Sequence, residues 1–241
     1  MSFLGVRRNT NERAPGFTLV ELLVVIVIVA VLATVAIYGV RGALAKSKQA
    51  ACASNLRSIG IGLHLYAGDH NGVFPETTHS TDLQTAWIYA LEDHLNIFDK
   101  TRICPADPKA AQRLAGKGTS YILNSFLFLP PVDPFGEPTG PALNRLSAIP
   151  DHTNTPMAFI CSDRYGPGPG NDHTHSEQWN SWSAVKADIA VGRFGGKASD
   201  DETGSTNILY VDGSIRGFRA SELKRKTAAG INIAKPPGVA P

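Results

Sequence analysis

The sequence predicts an α+β fold in which a long N-terminal helix, membrane-spanning in its first half, continues into a soluble domain built on an antiparallel β-sheet. Three observations carry that prediction. An apolar run extends from Phe17 to Val40 with Glu21 as its only charged side chain. Helical periodicity continues past that run, with no proline until Pro75. The remainder of the chain holds short β-branched and aromatic runs separated by turn residues.

The first element is the apolar run itself. Its 24 residues, at a helical rise of about 1.5 Å each, reach roughly 36 Å, enough to cross a hydrocarbon core of about 30 Å. Ala30, Ala33, Ala36 and Gly39 recur at three-residue spacing, and small residues so placed let helices approach closely.

Residues 1–40 could also be read as a secretory signal peptide, with Arg7, Arg8 and Arg13 as its basic start. Three features oppose that assignment: the run exceeds the roughly 7–15 residues of a signal core, a carboxylate interrupts its beginning, and the small residue of a cleavage site, Gly16, precedes the run rather than following it. An intramembrane carboxylate costs several kcal/mol unless it finds a partner, so Glu21 points to function.

The hexapeptide Gly16-Phe17-Thr18-Leu19-Val20-Glu21, followed by an unbroken apolar helix, resembles the processing site of type IV pilins and type II secretion pseudopilins. The resemblance implies that a prepilin peptidase cuts after Gly16, that Phe17 becomes the N-methylated first residue, and that Glu21 is the fifth residue of the mature chain. In a fibre of packed helices, the Glu21 carboxylate can then pair with the α-amino group of a neighbouring subunit, which offsets its burial.

Charge constrains the partners. The chain carries 23 Lys and Arg against 21 Asp and Glu, and removal of the leader leaves 20 of each. A neutral mature chain has no electrostatic footprint for nucleic acid. Arg41, Lys46 and Lys48 behind the span match the three arginines before it, so the positive-inside count is a tie. The processing motif, rather than the charges, places the leader in the cytoplasm and the head beyond the inner membrane.

Beyond Val40 the pattern turns amphipathic. Leu56, Ile59, Leu63 and Tyr66 fall on one helical face, the core side of a domain. Gly39, Gly42, Gly60 and Gly62 predict bending or fraying, and Asp69-His70-Asn71-Gly72 predicts the helix stop. The stretches 51–60, 63–66 and 71–75 are similar to a subgroup of pilin-like proteins frequent in planctomycete and verrucomicrobial relatives. The segments 103–108, 120–125 and 207–213 extend that similarity. The subgroup's defining pattern is a histidine, nine residues, then Asp-Gly; here Glu202 stands ten residues before Asp212.

The soluble remainder, about 170 residues, is large enough for one core. Thr81-Asp82-Leu83-Gln84 has the pattern of a capping box, which predicts a second helix over 82–95. Strands are predicted at Tyr121–Leu129, Met157–Cys161, Ile208–Val211 and, after the Asp212-Gly213 hairpin signal, Ser214–Phe218. The sheet is expected to pack on the first helix. Proline and glycine make irregular surface loops of 130–150 and 164–170. The domain organisation that follows is a cleaved leader at 1–16, a transmembrane and assembly helix at 17–40, its amphipathic second half at 41–68, and an extracytoplasmic globular domain at 69–241.

Three cysteines, Cys52, Cys104 and Cys161, have no Cys-x-x-Cys spacing, which disfavours a zinc or redox motif. An exported head would let Cys104 and Cys161 bond, leaving Cys52 on the helix, although spacing alone does not fix the pairing. Asp172, His173, His175 and Glu177 form one candidate metal site, since two histidines separated by one residue face the same side of a strand. Asp188, Asp200 and Asp201 form another, of the oxygen-rich kind that suits Ca2+; the resemblance to major pseudopilins, which hold calcium before their final strands, points to the same region.

The chain has no Gly-x-Ser-x-Gly elbow, phosphate-binding loop, His-Glu-x-x-His pair or dinucleotide fingerprint, so no enzyme is expected. The expectation is instead a structural subunit of a type II secretion pseudopilus or type IV pilus-like fibre. Its partners are other pilin-like subunits, the prepilin peptidase and an inner-membrane assembly platform with a separate ATPase. The competing hypothesis is a membrane-anchored extracytoplasmic binding module that does not polymerise.

Overall fold

The computed structural model describes residues 16–77, 83, 86–130, 135, 137, 140 and 142–239. Helix α1 (Leu19–Asp69) runs without interruption, although its residues belong to two compact units, one ending at Gly42 and the other starting at Ala43. In the first unit every described side chain from Phe17 to Val40 is exposed. A helix that is apolar on all sides without a protein partner suits a membrane or other helices rather than water. This is the one helix, among the described residues, long and apolar enough to cross a membrane.

In the second unit, α1 carries a core stripe. Cys52, Leu56, Ile59, Leu63 and Ala67, spaced by four, three, four and four residues, are at most 1% exposed. Tyr66 sits at the margin of the stripe, stacked on His70. Gly60 and Gly62 do not break the helix. A Cβ on Gly60 would stand 3.0 Å from Leu209 Cδ1, and one on Gly62 would stand 3.2 Å from Leu95 Cδ2, so these glycines admit neighbours rather than bend the axis. The stop falls where expected. Asn71 and Gly72 adopt positive φ of 55° and 81°, and the Gly72 amide returns to the Ala67 carbonyl at 2.7 Å, which satisfies an orphan carbonyl of the last turn.

The second helix is not as predicted. Of its capping box only Leu83 lies within the described residues, and the described part of 82–95 forms a 3-10 turn at Tyr89–His94. Ala86, Trp87 and Ile88 are each 1% exposed, and one face of an α-helix cannot bury three consecutive side chains. Two short helices follow, α2 (Phe98–Thr101) and α3 (Ala110–Ala115).

Four strands, β1 (Tyr121–Leu123), β2 (Pro156–Ile160), β3 (Ser205–Tyr210) and β4 (Ile215–Arg219), form a sheet in that order, every pair antiparallel. The β3–β4 hairpin turns at Asp212-Gly213 as predicted, with Gly213 at φ 80°. β1 is much shorter than the run to Leu129 suggested. The Asn124 side chain accepts from the Phe126 amide and donates to the Pro156 and Ala234 carbonyls at 2.7 Å. It thereby ends the strand and opens α4 (Ser125–Phe128).

Strand alternation sorts the core into two layers. Tyr121, Leu123, Ala158, Ile160, Leu209 and Val211 pack with the α1 stripe. Ile122, Phe159, Ile208 and Tyr210 face the opposite way, toward Trp179, Val185 of α5 (Trp182–Asp188) and Leu223 of α6 (Ala220–Ala228). The sheet is therefore covered on both sides. The fold is α+β and pilin-like: a long N-terminal apolar helix followed by a soluble part on a four-stranded antiparallel sheet.

Candidate functional site

The N-terminal junction is a compact local structure. Thr18 stands immediately before α1, and its hydroxyl accepts from the Glu21 amide at 3.2 Å. In return, Glu21 Oε2 accepts from the Thr18 amide at 2.9 Å and from the Thr18 hydroxyl at 2.8 Å. This is a capping box: two donors that a helix N-terminus leaves without partners are satisfied reciprocally, and the carboxylate lies at the positive end of the helix dipole. Thr18 is thus the residue that positions Glu21. The Thr-x-x-Glu spacing is visible in the sequence and identifies it. Further along, the Thr34 hydroxyl donates to the Ala30 carbonyl at 2.8 Å, so a second polar group in the apolar segment is satisfied internally. Gly16 and Phe17 precede the helix and are exposed.

The acidic residues of the head have separate tasks. Asp188 accepts from the Tyr165 hydroxyl at 3.0 Å, the His175 amide at 2.7 Å and the Trp179 indole at 2.8 Å; it anchors the 165–179 segment to α5. Burial, then the neighbouring Asp188 charge, pushes the Tyr165 phenol well above its usual range. Asp201 accepts from the amides of Lys197 and Thr203 and from the Thr203 hydroxyl, which hold its pKa down to about 2. Among the described residues, no group of three or more His, Cys, Asp or Glu side chains is placed to hold a metal ion. The structure thus does not assemble a calcium site from Asp188, Asp200 and Asp201.

The histidine segment is likewise structural. His173 Nδ1 lies 2.8 Å from Asp172 Oδ1, both side chains almost fully buried, while residues 172–174 lie alongside Leu123 of β1. Glu177 accepts from the Ser125 hydroxyl at 2.7 Å, within a buried cluster that also joins Thr174, Ser176 and Asn124. The buried groups of this cluster hold α4 and the loop to the sheet, while His175 and Glu177 are exposed.

Cys104 and Cys161 do not form the bond expected of them. All three cysteines are free and buried, and the sheet separates these two: Cys104 belongs to the layer on the α1 side and Cys161 to the opposite layer. Burial pushes the Cys161 thiol up to about 12. Glu202, in place of the subgroup's histidine, accepts from the Trp182 indole at 2.9 Å and from Lys224 at 2.7 Å, linking the loop before β3 to α5 and α6.

One ion pair was not legible from the sequence. Asp107 and Arg113 meet at 2.7 Å with both side chains fully buried. Asp107 also accepts from the Ser120 hydroxyl at 2.6 Å and the Lys109 amide at 2.8 Å. Burial works to raise its pKa, but the Arg113 charge and these donors outweigh it and hold the carboxyl below its ordinary value.

Residues 13–37 match the Prokaryotic N-terminal methylation motif, which spans Gly16, Phe17, Thr18 and Glu21 and supports a type IV pilin- or pseudopilin-like protein. The match ends well before 103–108, 120–125 and 207–213, the segments similar to the narrower subgroup. Comparison with curated proteins and with solved structures gives no match.

Proposed function

We propose that the chain is the precursor of a structural subunit of a type II secretion pseudopilus or type IV pilus-like fibre. The methylation motif over residues 13–37, lying on a capped helix start whose following turns are exposed and almost wholly apolar, is the observation that carries this proposal. A prepilin peptidase cuts after Gly16 and Phe17 is N-methylated. The segment 17–40 holds the subunit in the inner membrane until it joins the fibre, and the head faces the periplasm or the exterior. An assembly platform with its own ATPase supplies the work, and enzymatic activity of the chain has no part in it.

On this reading Glu21 has a role. Before assembly its carboxylate is held by Thr18, which lowers the cost of a charge in the membrane. Those bonds occupy one oxygen and leave capacity on the carboxylate, which accepts at two oxygens. Excision of the leader creates an α-amino group on Phe17, a cation of the right sign and depth to pair with Glu21 of a neighbour. The carboxylate then favours one register among helices whose apolar faces discriminate little between registers.

The test is the Glu21→Ala variant. Membrane insertion should be retained and recovery of the chain in sheared fibres should fall at least tenfold. Fibres at the native yield would contradict the assignment of Glu21 to assembly and favour a non-polymerising anchor.

A further inference from the structure

We infer that Cys52 and Cys104 form a disulfide in the exported protein, clamping α1 to the head. Three observations bring these residues together. Cys52 and Cys104 are both fully buried in the same core layer. The Tyr121 hydroxyl lies 3.4 Å from Cys52 Sγ, so β1 closes the site from the sheet side. One helical turn beyond Cys52, Asn55 Nδ2 donates to the Ile103 carbonyl at 2.9 Å and to the Lys100 carbonyl at 3.2 Å. These bonds fix the backbone beside Cys104 against α1, and they do not require a bridge to be present.

The chemistry suits this pair. Before the core closes either thiolate can act as the nucleophile, and the exchange is the same with the two cysteines reversed. As the chain folds and before the core closes, Cys104 attacks one sulfur of an oxidant disulfide, that of an exported thiol–disulfide oxidoreductase, and releases one oxidant thiolate. Cys52 then loses its proton, attacks Cys104 Sγ in the mixed disulfide and releases the second thiolate. The protein gives up two protons and two electrons, and the oxidant disulfide takes them up as two thiols. Cys161, across the sheet in the other layer, remains a thiol. The bond ties α1, at the first residue of its buried stripe, to the segment before α3, a link that transmits load between helix and head without relying on core packing alone.

Formation in the cell rests on the export of the head proposed above, and the experiment separates the two. The full-length chain is taken from membranes with thiols blocked by N-ethylmaleimide at lysis. A second sample is unfolded, reduced and refolded in detergent with a reduced and oxidised glutathione couple. Peptide mapping of both, without reduction, should show the 52- and 104-containing peptides linked, with Cys161 as the one alkylated cysteine. Reducing the refolded sample should lower its Tm by roughly 10 °C, as expected for removal of a native bridge from a domain of this size. Three alkylated cysteines in the refolded sample, or a Cys104–Cys161 link, would overturn the inference. A linked pair after refolding beside three blocked thiols from membranes would instead overturn export of the head.

Discussion

Two charged residues show how context decides what a carboxylate does. Asp107 is buried against Arg113, and removing one partner of such a pair leaves the other uncompensated, at a cost of about 3–5 kcal/mol. Asp107→Asn should destabilise the head by about that amount. Its pH dependence follows from the sign of the shift. The folded pKa lies below the ordinary carboxylate value, so the pair stabilises the head fully above the unfolded pKa of about 3.9 and loses that contribution as pH falls through the folded value. Asp201 titrates in the same acid window, so the difference between the native chain and Asp107→Asn isolates the pair. Thermal melts between roughly pH 2 and pH 6 should show a steep acid limb for the native chain and a shallower one for the variant; parallel limbs would refute this role for Asp107. Glu21 is the opposite case, exposed and charged in an apolar segment, and its Thr18 cap explains how a single chain carries it.

Among the elements, α1 is the one whose faces are most sharply distinguished. Gly60 and Gly68 both lie in it, yet their surroundings differ: a Cβ on Gly60 meets Leu209, whereas one on Gly68 meets nothing within 4 Å. Gly68→Ala should stabilise the head by about 0.5–1 kcal/mol through helix propensity. Gly60→Leu should destabilise it by about 1–3 kcal/mol by overpacking against a buried leucine. Chemical denaturation of the two variants checks both signs; a loss from Gly68→Ala would mean that α1 does not present that face to solvent. The α1 stripe, three strands and the β3–β4 turn were legible because helical and two-residue periodicities survive in Leu56, Ile59 and Leu63 and in Ile208 to Phe218. The Tyr121–Leu129 strand misled because Asn124 ends it through bonds to Pro156 and Ala234, residues remote in sequence. The second helix misled because Ala86, Trp87 and Ile88 are buried on more than one side. The Asp107–Arg113 pair and the layer containing Cys104 likewise depend on contacts that no local pattern records. The motif of the junction was legible because residues 16–21 are consecutive; the Thr18–Glu21 capping box, equally local in its Thr-x-x-Glu spacing, emerged only from the structure.

For the whole molecule, two kinds of surface divide the labour. The described side chains of 17–40 are exposed and, apart from Thr18, Glu21 and Thr34, apolar, while the head buries its apolar residues on both faces of a sheet. A subunit so built partitions into lipid or against like helices through one unit and remains water-soluble through the other. The central claim is that the chain is a precursor cut after Gly16. Mass spectrometry of the amino terminus of the protein isolated from membranes tests it most directly. The account predicts a chain beginning at N-methylated Phe17, and an intact Met1, or a cut beyond residue 40, would contradict it.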